Sequence, residues 1–262
     1  MVEEAVRRVD IIRAFSDGSF ERMQDEMLEE RNLTLELDGQ EEALAILTPG
    51  HEKEWALGHL ACRRMILSME DVASVAVEPG RVRVVRKVVR EGIPLKKRLL
   101  HTASARSVEG TQVRENWPDA LPVEWSLPFE TLRASIAELA EAPLFRRTGS
   151  VHVAVLGSVS GHAGFRVEDV GRHNAVDKAV GWALLEGLDL SACYLAVSGR
   201  LPADMVYKAI GARIPLLASV SAATAGGVDA ALAGGITLIG FAREGRMNVY
   251  AYPERILGYP KS

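Results

Sequence analysis

Residues 168–178 read Glu-Asp-Val-Gly-Arg-His-Asn-Ala-Val-Asp-Lys, and they leave an apolar strand through a glycine to enter a helix. Arg172, His173 and Asn174 therefore cluster at a helix N-terminus, where backbone N–H groups lack partners within the helix and carry partial positive charge. The arginine adds a planar fork suited to phosphate or to a purine edge. The sequence predicts a strand–turn–helix unit that binds an anion or a nucleotide.

A purely structural interpretation of the same residues is also open. In it, Asn174 caps the helix, Asp177 completes the capping pattern, and Arg172 pairs with an acidic residue at the end of the strand. Capping explains these residues but leaves His173 and Lys178 without a role.

Outward from this turn, short apolar strands alternate with helical patterns over residues 129–262. The predicted elements are helix 129–141, strands 151–156 and 165–170, helix 174–186, strand 194–198, helix 204–212, strand 215–219, helix 227–233, and strands 236–241 and 248–252. This order indicates an α/β domain with a largely parallel sheet covered by helices on both faces. Ligands of such sheets bind at the carboxyl ends of the strands.

Residues 1–116 predict a smaller, strand-rich domain, and the proline-rich residues at about 117–128 predict a linker. The elements expected in the small domain are a hairpin of strands 33–37 and 43–47 around Asp38-Gly39, a helix over 48–68, and strands 72–77 and 82–89. Eight basic residues and one acid lie between Arg81 and Arg98. They indicate either a solvated strand face protected against edge pairing or a rim that attracts phosphate.

Two further turns repeat the geometry of the first. Ser198, Gly199 and Arg200 end one strand, and Ser219 and Ser221 end the next. Serine and glycine at such junctions are most often helix caps. Three such ends in one sheet nevertheless favour a shared pocket, because small hydroxyl residues leave room for a ligand and can donate to it.

The last predicted turn contains Phe241, Ala242, Arg243, Glu244, Gly245 and Arg246. It is typical of a hairpin with surface arginines. Alternatively, its two arginines lie beside phosphates and the phenylalanine stacks on a base.

Composition limits the function classes. With 31 basic and 35 acidic residues the net charge is -4, which gives no sign of nucleic-acid or membrane binding. Cys62 and Cys193 are too few and too far apart for a disulfide framework or a zinc site, and we expect both to be structural and the protein to be cytoplasmic. We expect no metal ligands, and His152 is interpreted as a hydrogen-bonded core residue. A Rossmann-like oxidoreductase is disfavoured, since no G-x-G-x-x-G follows a strand.

The motifs together resemble one family. The run EDVGRHNAVDK, with TGSVH before it and SGR, PLLASVSA and GFAREGRMNVY after it, resembles the FdhD family of formate dehydrogenase accessory proteins in content, order and spacing. The resemblance extends over about residues 9–252. It implies a cytidine-deaminase-like three-layer α/β fold with a small additional domain, and a homodimer.

The resemblance also implies a function in molybdenum cofactor biosynthesis. Family members are sulfurtransferases that receive sulfur from a cysteine desulfurase, bind the bis-molybdopterin guanine dinucleotide form of the cofactor, and deliver the sulfur to it before formate dehydrogenase apoenzyme receives it. GDP is expected to bind as a partial mimic. The family's cofactor-binding stretch matches residues 241–246, and the R-H-N and S-G-R turns fall where a guanine nucleotide pocket is expected.

The chain departs from the family at the cysteine pair that carries the persulfide. The matching loop is Thr102 to Val108, in which the persulfide positions fall at Ala105 to Val108, and it contains no cysteine. Persulfide chemistry needs a thiolate, so sulfur transfer is in doubt. The alternative is a non-catalytic cofactor chaperone or guanine-nucleotide-binding paralogue.

Overall fold

Three sheets make up the strand content of the structure. The computed structural model describes residues 3–87, 119–159 and 164–260. Part of the basic cluster, the first residues of the predicted linker and the loop at 102–108 lie outside these ranges. Within them, a two-stranded hairpin and a four-stranded sheet precede a six-stranded sheet with helices on both faces. The three-layer α/β class expected from the sequence is confirmed.

An N-terminal hairpin, which was not predicted, consists of β1 (Val6–Ala14) and β2 (Phe20–Leu28). Charged residues fall on both faces of both strands, so the sequence lacks the alternation that marks a half-buried strand. At its base, Arg147 donates to both carboxylate oxygens of Glu26, at 2.7 and 2.8 Å. Its tip is exposed.

The four-stranded sheet has the strand order β4-β3-β6-β5. Its strands are β3 (Arg31–Leu37), β4 (Gln40–Leu47), β5 (Val72–Glu78) and β6 (Arg81–Arg86). Between β3 and β4, Asp38 and Gly39 both have positive φ, at 51° and 79°. A two-residue hairpin turn of this type needs positive φ at both positions, which explains the predicted Asp-Gly signal.

Arg81 and Arg83 of the basic cluster lie on the outer face of this sheet, whereas the side chain of Arg86 is largely buried against Asp38 and Met65. Arg81 donates to Glu36 at 2.7 Å, and Arg83 forms ion pairs with Glu36 and Glu78. These contacts agree with a solvated strand face. The expected protection of an edge is wrong for β6, because that strand lies between β3 and β5.

Helix α1 (Glu52–Cys62) connects the two larger sheets and is shorter than predicted. His51 before the helix and Arg64 after it both have the left-handed backbone conformation, with φ of 62° and 57°. A Cβ on Gly58 would lie 1.8 Å from the carbonyl oxygen of Asp177, so only glycine permits this close approach to the next helix layer. One hydrophobic core runs from the four-stranded sheet through α1 into the six-stranded sheet.

The six-stranded sheet has the order β12-β11-β10-β9-β7-β8. Its strands are β7 (His152–Ser158), β8 (Phe165–Asp169), β9 (Cys193–Val197), β10 (Leu216–Ser219), β11 (Thr237–Arg243) and β12 (Arg246–Ala251). Only the neighbours β9, β10 and β11 pair in parallel. The expected largely parallel sheet is therefore wrong, because β7–β8, β7–β9 and β11–β12 all pair antiparallel. For β11 and β12 the reason is the two-residue turn that joins them, since a short hairpin connection pairs strands antiparallel.

Helices cover both faces of this sheet. One face packs against α2 (Phe129–Ala140), which is followed by the short α3 (Pro143–Thr148). The other packs against α4 (Arg172–Leu185), α5 (Ala203–Ala212) and α6 (Ala225–Gly234). The helix predicted at 174–186 thus begins two residues earlier, at Arg172. Asn174 therefore lies inside the helix and not at its N-cap.

Candidate functional site

The predicted turns converge at one edge of the six-stranded sheet. Strands β8, β9, β10 and β11 run in the same direction, so their carboxyl ends meet at the same edge. Residues 170–174 and 198–200 follow the ends of β8 and β9, and residues 219–221 and 241–246 contain the ends of β10 and β11. The topology therefore brings together every segment that the sequence marked as a candidate.

Direct contacts join the turns to one another. The Ser219 hydroxyl donates to the carbonyl of Gly199 at 2.7 Å, and the Ser221 N–H donates to Ser219 Oγ at 2.9 Å. The Phe241 N–H donates to the carbonyl of Ser221 at 2.9 Å. Arg172 packs on Gly199, where an added Cβ would lie 2.9 Å from the arginine Cβ. The four turns form one continuous surface.

Arg172 and His173 are half-buried in the first turn of α4. Arg172 Nε is buried without a hydrogen-bond partner in the part of the chain that the structure describes. His173 Nε2 lies 3.1 Å from Asp204 Oδ2, without the alignment of a hydrogen bond. Burial would raise the pKa of Asp204, but the contact with His173 outweighs it and lowers that pKa. Arg172 thus retains an unused donor at the edge.

Asn174 and Lys178 lie behind the turn and are buried. The N-cap of α4 is Gly171, so the interpretation of Asn174 as the cap is wrong. The Asn174 side chain accepts from Trp55 Nε1 at 3.2 Å and donates to the carbonyl of Ile46 at 2.8 Å. Neither residue presents an unused polar group to the edge.

Ser198 and His152 meet where β9 ends and β7 begins. Ser198 Oγ accepts from the Val153 N–H at 2.9 Å and lies 3.3 Å from His152 Nδ1. Burial lowers the pKa of His152, and the nearby Arg172 and His173 lower it further. The sequence analysis had placed His152 in the core, whereas it is half-buried at the candidate site.

The segment 241–246 forms the end of the β11–β12 hairpin. Arg243 lies opposite Arg246, and the two residues between them make the turn. Phe241 is 39% exposed and has a φ of 50°. Positive φ is uncommon for a bulky residue and marks a constrained backbone at this edge. The segment places an exposed aromatic ring beside two exposed arginines.

Four arginines bring positive charge to the edge of a chain whose net charge is -4. Arg200, Arg243 and Arg246 are exposed, and Arg172 is half-buried. Among the described residues, none of the four forms an ion pair with a carboxylate. Unpaired guanidinium groups next to a helix N-terminus are suited to phosphate.

A second buried ionic cluster lies on the other side of α4. Lys208 Nζ donates to both oxygens of Asp177, at 2.6 and 2.8 Å, and His59 Nδ1 lies 3.5 Å from the same carboxylate. Burial alone would raise the pKa of Asp177, but Lys208 and His59 lower it to about 2. Asp177 therefore bonds to α1 and α5 and does not take part in a capping pattern.

Both thiols are buried. Burial raises the pKa of Cys193 to about 11 and raises that of Cys62 well above its ordinary value. The thiol form is therefore strongly favoured at neutral pH, which agrees with the structural role expected for both cysteines.

Sequence reasoning considered an acid at the end of the strand only as a partner of Arg172 and did not consider Asp204. Asp169 precedes the R-H-N turn and is buried at the end of β8, whereas Asp204 follows the S-G-R turn and contacts His173. The signal available in the sequence was the position of each acid beside a candidate turn. Two cavities of about 300 and 230 Å³ lie elsewhere in the described structure, one beside Arg31 and Glu52 and one beside Trp125. Neither cavity is lined by residues of the candidate site.

Comparisons with known proteins agree on one family. The model of the FdhD/NarQ family matches residues 28–257. The chain is 36% identical over 261 residues to the sulfur carrier protein FdhD of Anaeromyxobacter dehalogenans, with 89% of each chain covered. It is 31% identical over 263 residues to the sulfur carrier protein FdhD of Methanothermobacter thermautotrophicus, covering 96% of this chain and 98% of the relative.

A solved structure has the same fold. The crystal structure of a protein assigned as a candidate formate dehydrogenase accessory protein from Desulfotalea psychrophila superposes with a TM-score of 0.78 at 26% identity. The match covers 97% of this chain and all of the other. Within the described residues, no helix combines the length and apolar character needed to cross a bilayer.

Proposed function

Because the chain belongs to the FdhD/NarQ family, we propose that it is a formate dehydrogenase accessory protein whose sheet edge binds the bis-molybdopterin guanine dinucleotide cofactor as cargo. Its partners in this proposal are formate dehydrogenase apoenzyme, a cysteine desulfurase and a second copy of the chain, all in the cytoplasm. GDP serves as a partial mimic of the cargo.

One observation supports this cargo most directly. Arg172 Nε is buried at the first turn of α4 and lacks an acceptor among the described residues, although a buried donor without a partner is costly. A phosphate oxygen of a nucleotide would supply the acceptor. The fit is chemical as well, because the N-cap of this helix has no side-chain acceptor of its own.

The remaining residues divide by chemistry. Arg200, Arg243 and Arg246 would neutralise the phosphates, and the exposed Phe241 would stack on the guanine. The Ser198 and Ser219 hydroxyls already bond to backbone groups, and the backbone N–H of Ser221 bonds to Ser219, so these serines hold the turns together. The neutral form of His152, favoured by its lowered pKa, avoids additional repulsion from the neighbouring Arg172.

The test is GDP affinity measured by isothermal titration calorimetry. Arg172→Ala and Arg246→Ala should each weaken binding by about 1.5–3 kcal/mol, or roughly 10- to 150-fold, the range for a hydrogen bond to a charged group. Arg166→Ala is the matched control, since Arg166 is the second residue of β8 and lies toward the opposite end of the strand from the turn. Equal affinities for the wild type and both edge variants would refute the proposal.

A second candidate function, a cofactor chaperone that transfers no sulfur itself, is favoured by the state of the thiols. The loop at Ala105 to Val108 has no cysteine, and both cysteines elsewhere are buried with raised pKa values. A thiolate is needed to attack and hold a sulfane sulfur. Incubation with a cysteine desulfurase and cysteine should therefore give no mass gain of one sulfur, whereas a gain on Cys62 or Cys193 would support sulfur transfer by this chain.

A further inference from the structure

A buried carboxylate lies directly behind the turn that carries Arg172. Asp169 is the last residue of β8 and is fully buried. Its Oδ1 accepts from the Gly171 N–H at 2.8 Å and from Asn174 Nδ2 at 2.9 Å. Its Oδ2 accepts from the Thr48 N–H at 3.1 Å and lies 2.8 Å from Lys178 Nζ. Four donors thus surround one carboxylate.

Thr48 and Lys178 complete a closed network. Lys178 Nζ also donates to the carbonyl of Thr48 at 2.7 Å. The Thr48 hydroxyl accepts from the Val170 N–H at 3.0 Å, one residue after the aspartate. Every polar group of Thr48 is therefore bonded to the end of β8 or to α4, and the network fixes the backbone on both sides of the turn.

Gly171 is the point where the network meets the exposed turn. A Cβ at this position would lie 2.8 Å from Asn174 Nδ2, so the bond between Asn174 and Asp169 requires glycine. The next two residues, Arg172 and His173, are the half-buried members of the candidate site. Their backbone starts from an amide that the aspartate holds in place.

We propose that Asp169 is a positioning residue for the proposed cofactor site, and that with Lys178 it fixes the backbone turn that aims Arg172 and His173 at the ligand. The inference rests on the proposed function for the identity of the ligand. It assigns to Lys178, which the sequence had marked as a ligand-binding residue, the role of counter-ion behind the site. A site built on one turn needs such support, because small displacements of its donors weaken binding.

The protein contains a matched control for this idea. Asp177 and Lys208 form a second buried ion pair that involves the same helix, α4, but joins it to α5. Among the described residues, no side-chain hydrogen bond or ion pair connects Asp177 or Lys208 to the turn at residues 170–173. Replacing either pair with Asn and Met removes the same charges from equally buried carboxylate positions.

The experiment compares Asp169→Asn/Lys178→Met with Asp177→Asn/Lys208→Met at a temperature where circular dichroism shows all proteins folded. Calorimetric GDP affinity should fall at least about 10-fold in the first variant and stay within about 2-fold of wild type in the second. Hydrogen exchange at the Val170 and Gly171 amides should accelerate in the first variant alone.

The two measurements separate failure of this inference from failure of the proposed function. If wild-type protein does not bind GDP, the proposed function fails, and exchange at Val170 and Gly171 decides the inference by itself. Equal losses in both variants, or unchanged exchange in the Asp169 variant, would overturn it. Should that variant not fold, Thr48→Val removes only one acceptor, and unchanged exchange and affinity in it would overturn the inference equally.

Discussion

Replacing Gly58 with alanine should destabilise the protein although alanine is the better helix former. Gly58 lies in the middle of α1, and an added Cβ would be 1.8 Å from the carbonyl oxygen of Asp177 and 2.7 Å from the amide nitrogen of Gly181. These are backbone atoms of α4, which cannot rotate away as a side chain can. The two helices would have to separate by about 1 Å or more to relieve the contact.

The expected magnitude follows from two opposing effects. Helix propensity favours alanine over glycine by about 1 kcal/mol. Overpacking in a close-packed core typically costs about 1–3 kcal/mol and sometimes more. Part of this cost arises because a gap of about 0.5–1 Å opened elsewhere between the helices would remove about a quarter to a half of the dispersion energy across it. Because α1 links the cores of both larger sheets and the clash is with backbone atoms, we expect an overpacking cost at the upper end of this range, about 3 kcal/mol. The net loss in the free energy of unfolding is then about 2 kcal/mol.

Urea denaturation followed by circular dichroism measures this loss. Gly226→Ala is the matched control, because Gly226 is also helical but its added Cβ would only touch Ala203 at an ordinary distance of 3.7 Å. The control should be neutral or more stable by about 0.4–1 kcal/mol. A Gly58→Ala protein as stable as wild type would refute the packing argument.

Three other predictions concern buried groups. Cys62 and Cys193 should not react with a thiol reagent such as DTNB in the native protein and should react fully in denaturant; rapid native labelling would contradict their burial. Burial lowers the pKa of His59 below its ordinary value of 6.5, so the unfolded state binds more protons than the folded state at acidic pH. The free energy of unfolding should therefore fall as the pH drops below about 6.5, by at most about 1.4 kcal/mol per pH unit. His59→Gln should flatten that part of the pH profile of unfolding, and an unchanged profile would exclude the effect. Arg255→Met should lower the free energy of unfolding by about 2 kcal/mol in urea titrations, since two carbonyl groups lose their buried donor, and an unaltered midpoint would contradict this.

The sequence predicts the α/β elements well because they are buried. Strands β9 and β10 are apolar throughout, so their positions follow from composition and from the turns that bound them. The hairpin of β1 and β2 escaped notice because charges such as Arg13 and Glu21 face each other across it. The largely parallel sheet was predicted wrongly because the direction of a strand depends on the connection to its neighbour and not on the residues of the strand itself.

The candidate site was predicted at the level of segments and not of side chains. Four turns selected for small and basic residues do meet at one edge, because sheet topology places the ends of β8 to β11 together. Which side chains face outward could not be read from the turns. Asn174 and Lys178 are polar and adjacent to the turn, yet both are buried against partners more than 100 residues away in sequence, such as Thr48.

Helical geometry explains why a single motif serves both the edge and the interior. In α4, Asn174 and Lys178 are four residues apart and therefore share the face that meets the loop around Thr48. Asp177 and Gly181 share a second face, which packs against α1. Only the first two residues of the helix, which precede both of these faces, remain available to a ligand. Most of the polar residues in this motif consequently stabilise the fold, and the same motif holds Arg172, with its unpartnered Nε, at the edge of the sheet.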